Sequence, residues 1–122
     1  MTPAVLVIED DTTLRELLEQ ALHREGFAPI TAPNGAEALL LLRSGVPAKV
    51  ILLDLLMPVM DGWAFRREQR NDPRLANIPV IVTSGLDRWY APDLLADAVF
   101  CKPLDLDQVI ARVRELCGMT FT

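Results

Sequence analysis

Val50-Ile51-Leu52-Leu53-Asp54-Leu55-Leu56-Met57-Pro58-Val59-Met60-Asp61-Gly62 joins an apolar run to a single carboxylate and then to a Met-Pro turn. A carboxylate placed where a buried strand stops is held on rigid backbone with its head at the sheet edge, the usual location of ligand chemistry in open α/β sheets. Asp54 is therefore the first candidate. Upstream, Val5-Leu6-Val7-Ile8 runs into Glu9-Asp10-Asp11. Downstream, Val80-Ile81-Val82-Thr83 ends at Ser84-Gly85, and the shorter Val99-Phe100-Cys101 ends at Lys102-Pro103. If these strands lie parallel in one sheet, the acids, the hydroxyl and the lysine converge on one pocket.

Helical periods separate the runs. Leu14, Leu17, Leu18, Ala21 and Leu22 recur at helical spacing, with Gly26 as the stop. A short strand near Pro29-Ile30-Thr31 leads to Asn34, a cap for a helix whose third residue is Glu37. Leu39 to Leu42 is apolar nearly all round, which predicts a broadly packed helix ended by Gly45-Val46-Pro47. A third helix starts near Asp61-Gly62 and carries Trp63, Phe65 and the run Arg66-Arg67-Glu68-Gln69-Arg70, read as a solvated face. The last helix has Asp105 as cap, Leu106, Val109, Ile110, Val113 and Leu116 facing inward, and Gly118 past its end. Alternation of strand and helix predicts a parallel sheet covered on both faces.

The 122 residues suit one domain. A formal charge of −5 and the lack of a basic cluster argue against direct nucleic-acid binding. The apolar stretches are too short to span a bilayer and the start lacks a signal-peptide pattern, so a cytoplasmic location is expected. Cys101 and Cys117 have no metal-ligand spacing and are read as buried, reduced thiols.

Glu9-Asp10, the block from Asp54 to Gly62, Ser84-Gly85 and Lys102-Pro103 together resemble the receiver domains of two-component response regulators. The resemblance covers essentially the whole chain. The motifs stand in the family's order, with tighter spacing than usual before Lys102. It implies a doubly wound, flavodoxin-like (CheY-like) α/β domain with a five-stranded parallel sheet of order 2-1-3-4-5. Asp54 is then the phosphoacceptor, and Lys102, Ser84 and the Gly85 N–H serve the transferred group. Pro58, Gly62 and Pro103 support the turns, the last after a cis peptide. Clustered Glu9, Asp10 and Asp54 repel one another, so a hard, oxygen-loving cation is expected, and Mg²⁺ fits. The family pattern makes Asp10, Asp54 and the Leu56 backbone carbonyl direct ligands, with Glu9 acting through water. Asp11, one residue on, is read as a helix cap.

Two departures bear on mechanism. Many receivers carry an aromatic three residues before the lysine; here that position is Val99, and neighbouring Phe100 faces the other side of the sheet. The stretch from Leu86 to Ala98 contains Pro92, so the helix between the fourth and fifth strands should be short, roughly Pro92 to Ala96. Signal output is then expected from the loop between Gly85 and Tyr90.

His23 is read as an exposed helix residue, and Met57, Met60 and Trp63 as turn and core packing. Gly35, Gly62 and Gly85 do not form a phosphate-cradling GxGxxG. The reading is a single receiver domain over residues 1–122, a stand-alone switch without an output domain, monomeric or weakly dimeric. Phosphoryl would come from a sensor histidine kinase or a histidine phosphotransfer protein and pass its signal to an unspecified downstream protein. The chain is expected to catalyse only its own phosphorylation and dephosphorylation. An aspartyl-phosphate phosphatase is disfavoured because its second acid, two residues after the nucleophile, is replaced by Leu56. The alternative is a phosphorylation-independent interaction module.

Overall fold

The computed structural model describes residues 2–85 and 94–118. Its elements are β1 (Ala4–Ile8), α1 (Thr12–Arg24), β2 (Ala28–Ala32), α2 (Gly35–Arg43), β3 (Ala48–Asp54), α3 (Gly62–Asn71), β4 (Val80–Ser84), β5 (Ala98–Cys101) and α4 (Leu106–Leu116). The strands form one five-stranded sheet of order β2-β1-β3-β4-β5, with every neighbouring pair parallel. This is the expected doubly wound order.

The inner strands β1, β3 and β4 are mostly apolar because both faces are covered. Leu6, Ile8, Ile51, Leu53, Val80 and Val82 point to one core layer, joined by Leu39 and Leu42 of α2 and Phe65 of α3. Val5, Val7, Val50, Leu52 and Ile81 point to the other, against Leu18 and Leu22 of α1 and Val109, Ile110 and Val113 of α4. Val99 packs on the first layer and Phe100 on the second, so the phenyl ring of Phe100 does not replace the missing aromatic.

Each described helix begins on an Asp or Asn whose carboxylate or amide oxygen accepts an exposed backbone N–H. Asp11 accepts from Leu14, Asn34 from Glu37, Asp61 from Ala64, and Asp105 from Asp107 and Gln108. These caps satisfy donors that a helix start otherwise leaves open. Asp11 is thus a cap, as expected.

Three expectations are corrected. The α2 helix is not packed all round: Leu40 is 70 % exposed, because the apolar run is longer than the stripe that a sheet can cover. Cys101 is exposed, since it is the last residue of the short edge strand β5, and Cys117 is partly buried; both are free thiols. Of the expected short helix from Pro92 to Ala96, residues 92 and 93 lie outside the described residues. Leu94 to Ala96 form no α-helix, and Leu95 adopts a left-handed φ of 50° that an α-helix does not contain.

Candidate phosphoacceptor site

Parallel register carries the predicted residues to one edge. Ile8 lies opposite Leu53, which sets Glu9 beside Asp54; Asp54 lies opposite Thr83; and Ser84 lies opposite Cys101, one residue before Lys102. The Lys102 N–H donates to the Ser84 carbonyl at 2.7 Å, extending the ladder past the strand end. The Lys102–Pro103 peptide is cis, as the resemblance implies.

Glu9, Asp54, Thr83 and Ser84 are all buried, whereas Asp10 is exposed. Carboxylate oxygens of Glu9, Asp10 and Asp54 lie within 4.8 Å of one another. The Lys102 ammonium sits 2.9 Å from Glu9 Oε1 and 3.3 Å from Asp54 Oδ1. Burial, and then the neighbouring Glu9 charge, push the Asp54 carboxyl up to about 7, against the opposing pull of Lys102. Burial lowers the Lys102 pKa, but the contacts with Glu9 and Asp54 outweigh it and the net direction is upward. One ammonium therefore faces three clustered acids, and buried Glu9 Oε1, although ion-paired, lacks a well-aligned hydrogen bond. The donor set is short of positive charge, which fits a hard dication held by Asp10 and Asp54, with Glu9 nearby.

The turn after Asp54 is set by close packing. Pro58 accepts a hydrogen bond from Met60 N–H at 2.8 Å while Val59, 84 % exposed, takes a left-handed φ of 71°. Gly62 then lies flat on the end of β3: its N–H donates to the Leu55 carbonyl at 2.9 Å. A Cβ there would fall 2.6 Å from the Asp54 carbonyl oxygen and 2.8 Å from Leu55 Cα. Only glycine permits that approach. Leu56, whose carbonyl is the proposed ligand, is exposed in this turn. Gly85 is different, because a Cβ on it would meet nothing within 4 Å.

A family model for the response regulator receiver domain matches residues 5–114. The chain belongs to the response regulator receiver domain family. A relative among curated proteins, the transcriptional regulatory protein BaeR of Escherichia coli O6:H1, is 34 % identical over 94 % of this chain and 48 % of its own length. The receiver thus spans about half the length of such relatives. The receiver domain of Francisella response regulator 1452 superposes with a TM-score of 0.84 at 29 % identity, covering 98 % of this chain and 100 % of that one. The response regulator TrrA of Thermotoga maritima, solved in complex with Mg²⁺-BeF, gives 0.83 at 28 % identity over 94 % and 99 %. No helix among the described residues of this receiver is long and apolar enough to cross a membrane.

The roles of two arginines of the receiver, one of them at the site, escaped the sequence reading. Arg15 Nη1 donates to the Glu9 carbonyl at 2.8 Å and to the Asp10 carbonyl at 3.5 Å, so α1 grips the acidic loop from behind. An arginine one turn into the helix that follows an acid cluster was the available signal. Arg66, expected on a solvated face, is only 7 % exposed. Its guanidinium donates to the carbonyls of Leu94 at 2.7 Å and Leu95 at 2.8 Å and to Gln69 Oε1 at 2.7 Å. Nothing in a run of arginines distinguishes the one that turns inward. The loop from residue 86 to Tyr90, expected to carry the output, lies outside the described residues.

Proposed function

We propose that this receiver accepts a phosphoryl group on Asp54 from a phosphohistidine of a sensor kinase or phosphotransfer protein, with Mg²⁺, and works as a phosphorylation-dependent switch. The observation that carries the reading is the convergence of Asp54, Glu9, Asp10 and Lys102 at one sheet edge, with Lys102 Nζ 3.3 Å from Asp54. An Asp54 carboxylate oxygen attacks phosphorus as the histidine N–P bond breaks, and the imidazole leaves. The electron pair of that bond stays on the imidazole nitrogen.

Phosphoryl transfer spreads negative charge over the equatorial oxygens, so positioned cations and donors are the main resource. The Lys102 ammonium supplies one positive charge, and the Ser84 hydroxyl and Gly85 N–H stand at the end of the neighbouring strand. When bound, Mg²⁺ supplies the further charge that neutralises the acids around the incoming group. Asp10 and Asp54 would hold it, together with the Leu56 carbonyl, and Glu9 would act through water. Hydrolysis later returns Asp54 and releases inorganic phosphate, so the chain is a switch and not a turnover enzyme on a free metabolite.

Mass spectrometry after incubation with a small phosphodonor and Mg²⁺ tests this directly. The parent should gain one phosphoryl group and Asp54→Asn none. Equal labelling of the variant sinks the assignment. Absence of acid-labile phosphate on the parent favours the phosphorylation-independent module, a reading supported by Val99 and Phe100 facing opposite layers.

A further inference from the structure

The three acids of the site are held in different ways. Glu9 and Asp54 are buried, and Lys102 pairs with both. Asp10 is exposed, and among the described residues no side chain pairs with its carboxylate. The loop backbone therefore places Asp10, and that backbone is anchored from α1.

Arg15 Nη1 donates to the Glu9 carbonyl at 2.8 Å and to the Asp10 carbonyl at 3.5 Å. The first bond is short and charge-assisted, and the second lies at the outer limit of a hydrogen bond. Arg15 stands one turn into the helix, where its own N–H donates to the carbonyl of the cap Asp11 at 2.9 Å. Leu18 and Leu22 fix the same helix in the core. The acidic loop thus hangs on a side chain whose helix is itself packed against the sheet. Arg15 also differs from Lys102 in what it bonds. Lys102 contacts carboxylate oxygens that a cation needs, whereas Arg15 takes carbonyls, and among the described residues no acid forms an ion pair with it. Arg15 orders the acids without competing for their oxygens.

We propose that Arg15 is a positioning residue for the metal-assisted reaction. By holding the Glu9 and Asp10 carbonyls it fixes Asp10 where a hard dication is shared with Asp54, a role that rests on Glu9, Asp10 and Asp54 being the Mg²⁺ site. Mg²⁺ demands near-octahedral ligands, so a loop free to drift loses affinity, and groups that orient metal ligands matter nearly as much as the ligands. The charge of Arg15 works the other way, since a cation behind the acids repels Mg²⁺. The guanidinium is partly exposed and its charge is screened, while its bond to the Glu9 carbonyl is short, so positioning outweighs repulsion.

Calorimetric titration of Mg²⁺ into the parent, Arg15→Ala, Arg15→Lys and Arg24→Ala, with urea unfolding of each, tests this role. Arg15→Ala should bind Mg²⁺ about tenfold more weakly. Arg15→Lys keeps a donor for the Glu9 carbonyl and should recover part of that loss. Arg24→Ala, at the far end of α1, should match the parent. In the metal-free protein the Asp11 amide, bonded to Glu9 Oε2 at 3.1 Å, should exchange faster with solvent in Arg15→Ala. Tighter Mg²⁺ binding by Arg15→Ala overturns the proposal, because charge then outweighs position. Unchanged affinity with lowered stability also overturns it and makes Arg15 a structural residue of α1, as does equal weakening by Arg24→Ala, which reduces the effect to general charge. A parent that binds no Mg²⁺ sinks the metal site and the role of Arg15 together, whereas a parent that binds while Arg15→Ala binds equally well sinks the role of Arg15 alone. Should Arg15→Ala unfold, Arg15→Met, which keeps the apolar stem, makes the same comparison.

Discussion

Lys102 Nζ is closer to Glu9 Oε1, at 2.9 Å, than to Asp54 Oδ1, at 3.3 Å. The ammonium beside Asp54 is thus held chiefly by Glu9. Glu9 acts on Asp54 in two ways that work in the same direction: it raises the Asp54 pKa by its charge and draws away the lysine that would lower it.

Glu9→Gln should therefore lower the Asp54 pKa from about 7, since the second cause of its elevation is removed and Lys102 is free to turn toward Asp54. A pH titration of the Asp54 carboxyl carbon by NMR reads this. An unchanged or higher midpoint contradicts the assignment of Glu9.

The elevated Asp54 pKa also fixes the sign of a stability effect. The unfolded chain loses this proton near pH 3.8 and the folded one near 7, so in the metal-free protein stability falls as pH rises between those values and levels off above them. Asp54→Asn does not titrate. It should match the parent near pH 3.5 and exceed it at pH 8 by about 1–2 kcal/mol, allowing for solvent screening at the pocket mouth. Urea unfolding at the two pH values checks both sign and window.

The neighbouring acids Asp10 and Asp11 should separate by function. Asp10→Ala is expected to weaken Mg²⁺ binding by at least about tenfold with little change in stability. Asp11→Ala removes the cap on Leu14 N–H and should cost about 1 kcal/mol while leaving Mg²⁺ affinity nearly unchanged. Calorimetric titration combined with denaturation decides, and the reverse order would move the metal site by one residue.

Gly62→Ala should be severe and Gly85→Ala mild. At position 62 the added methyl meets backbone atoms at 2.6 and 2.8 Å, which cannot move without shifting Asp54 itself. A loss of about 1–3 kcal/mol and slower phosphorylation are expected. At position 85 there is open space, and stability should change by less than about 0.5 kcal/mol. Thermal unfolding of the two variants side by side makes the comparison.

Much of this was legible before any coordinates. Apolar runs ending in Glu9, Asp54, Ser84 and Lys102 predicted the parallel sheet and the residues at its edge, because buried strands must be apolar on both faces and polar where they emerge. The caps Asp11, Asn34, Asp61 and Asp105 were readable because capping is local, acting over two or three residues.

What the chain could not disclose was decided by contacts between residues distant in sequence. Arg66, Arg67 and Arg70 are chemically identical, and only the packing of α3 buries Arg66 on the Leu94 and Leu95 carbonyls. Cys101 reads as one more apolar residue of a strand, and only its place at the end of an edge strand exposes it. The order of charge around Asp54, with Lys102 nearer to Glu9, depends on how three strands stagger at their ends. Residue type and period determine which elements form and what chemistry they carry; interatomic distance, on which electrostatics and packing depend, exists only once the elements are assembled.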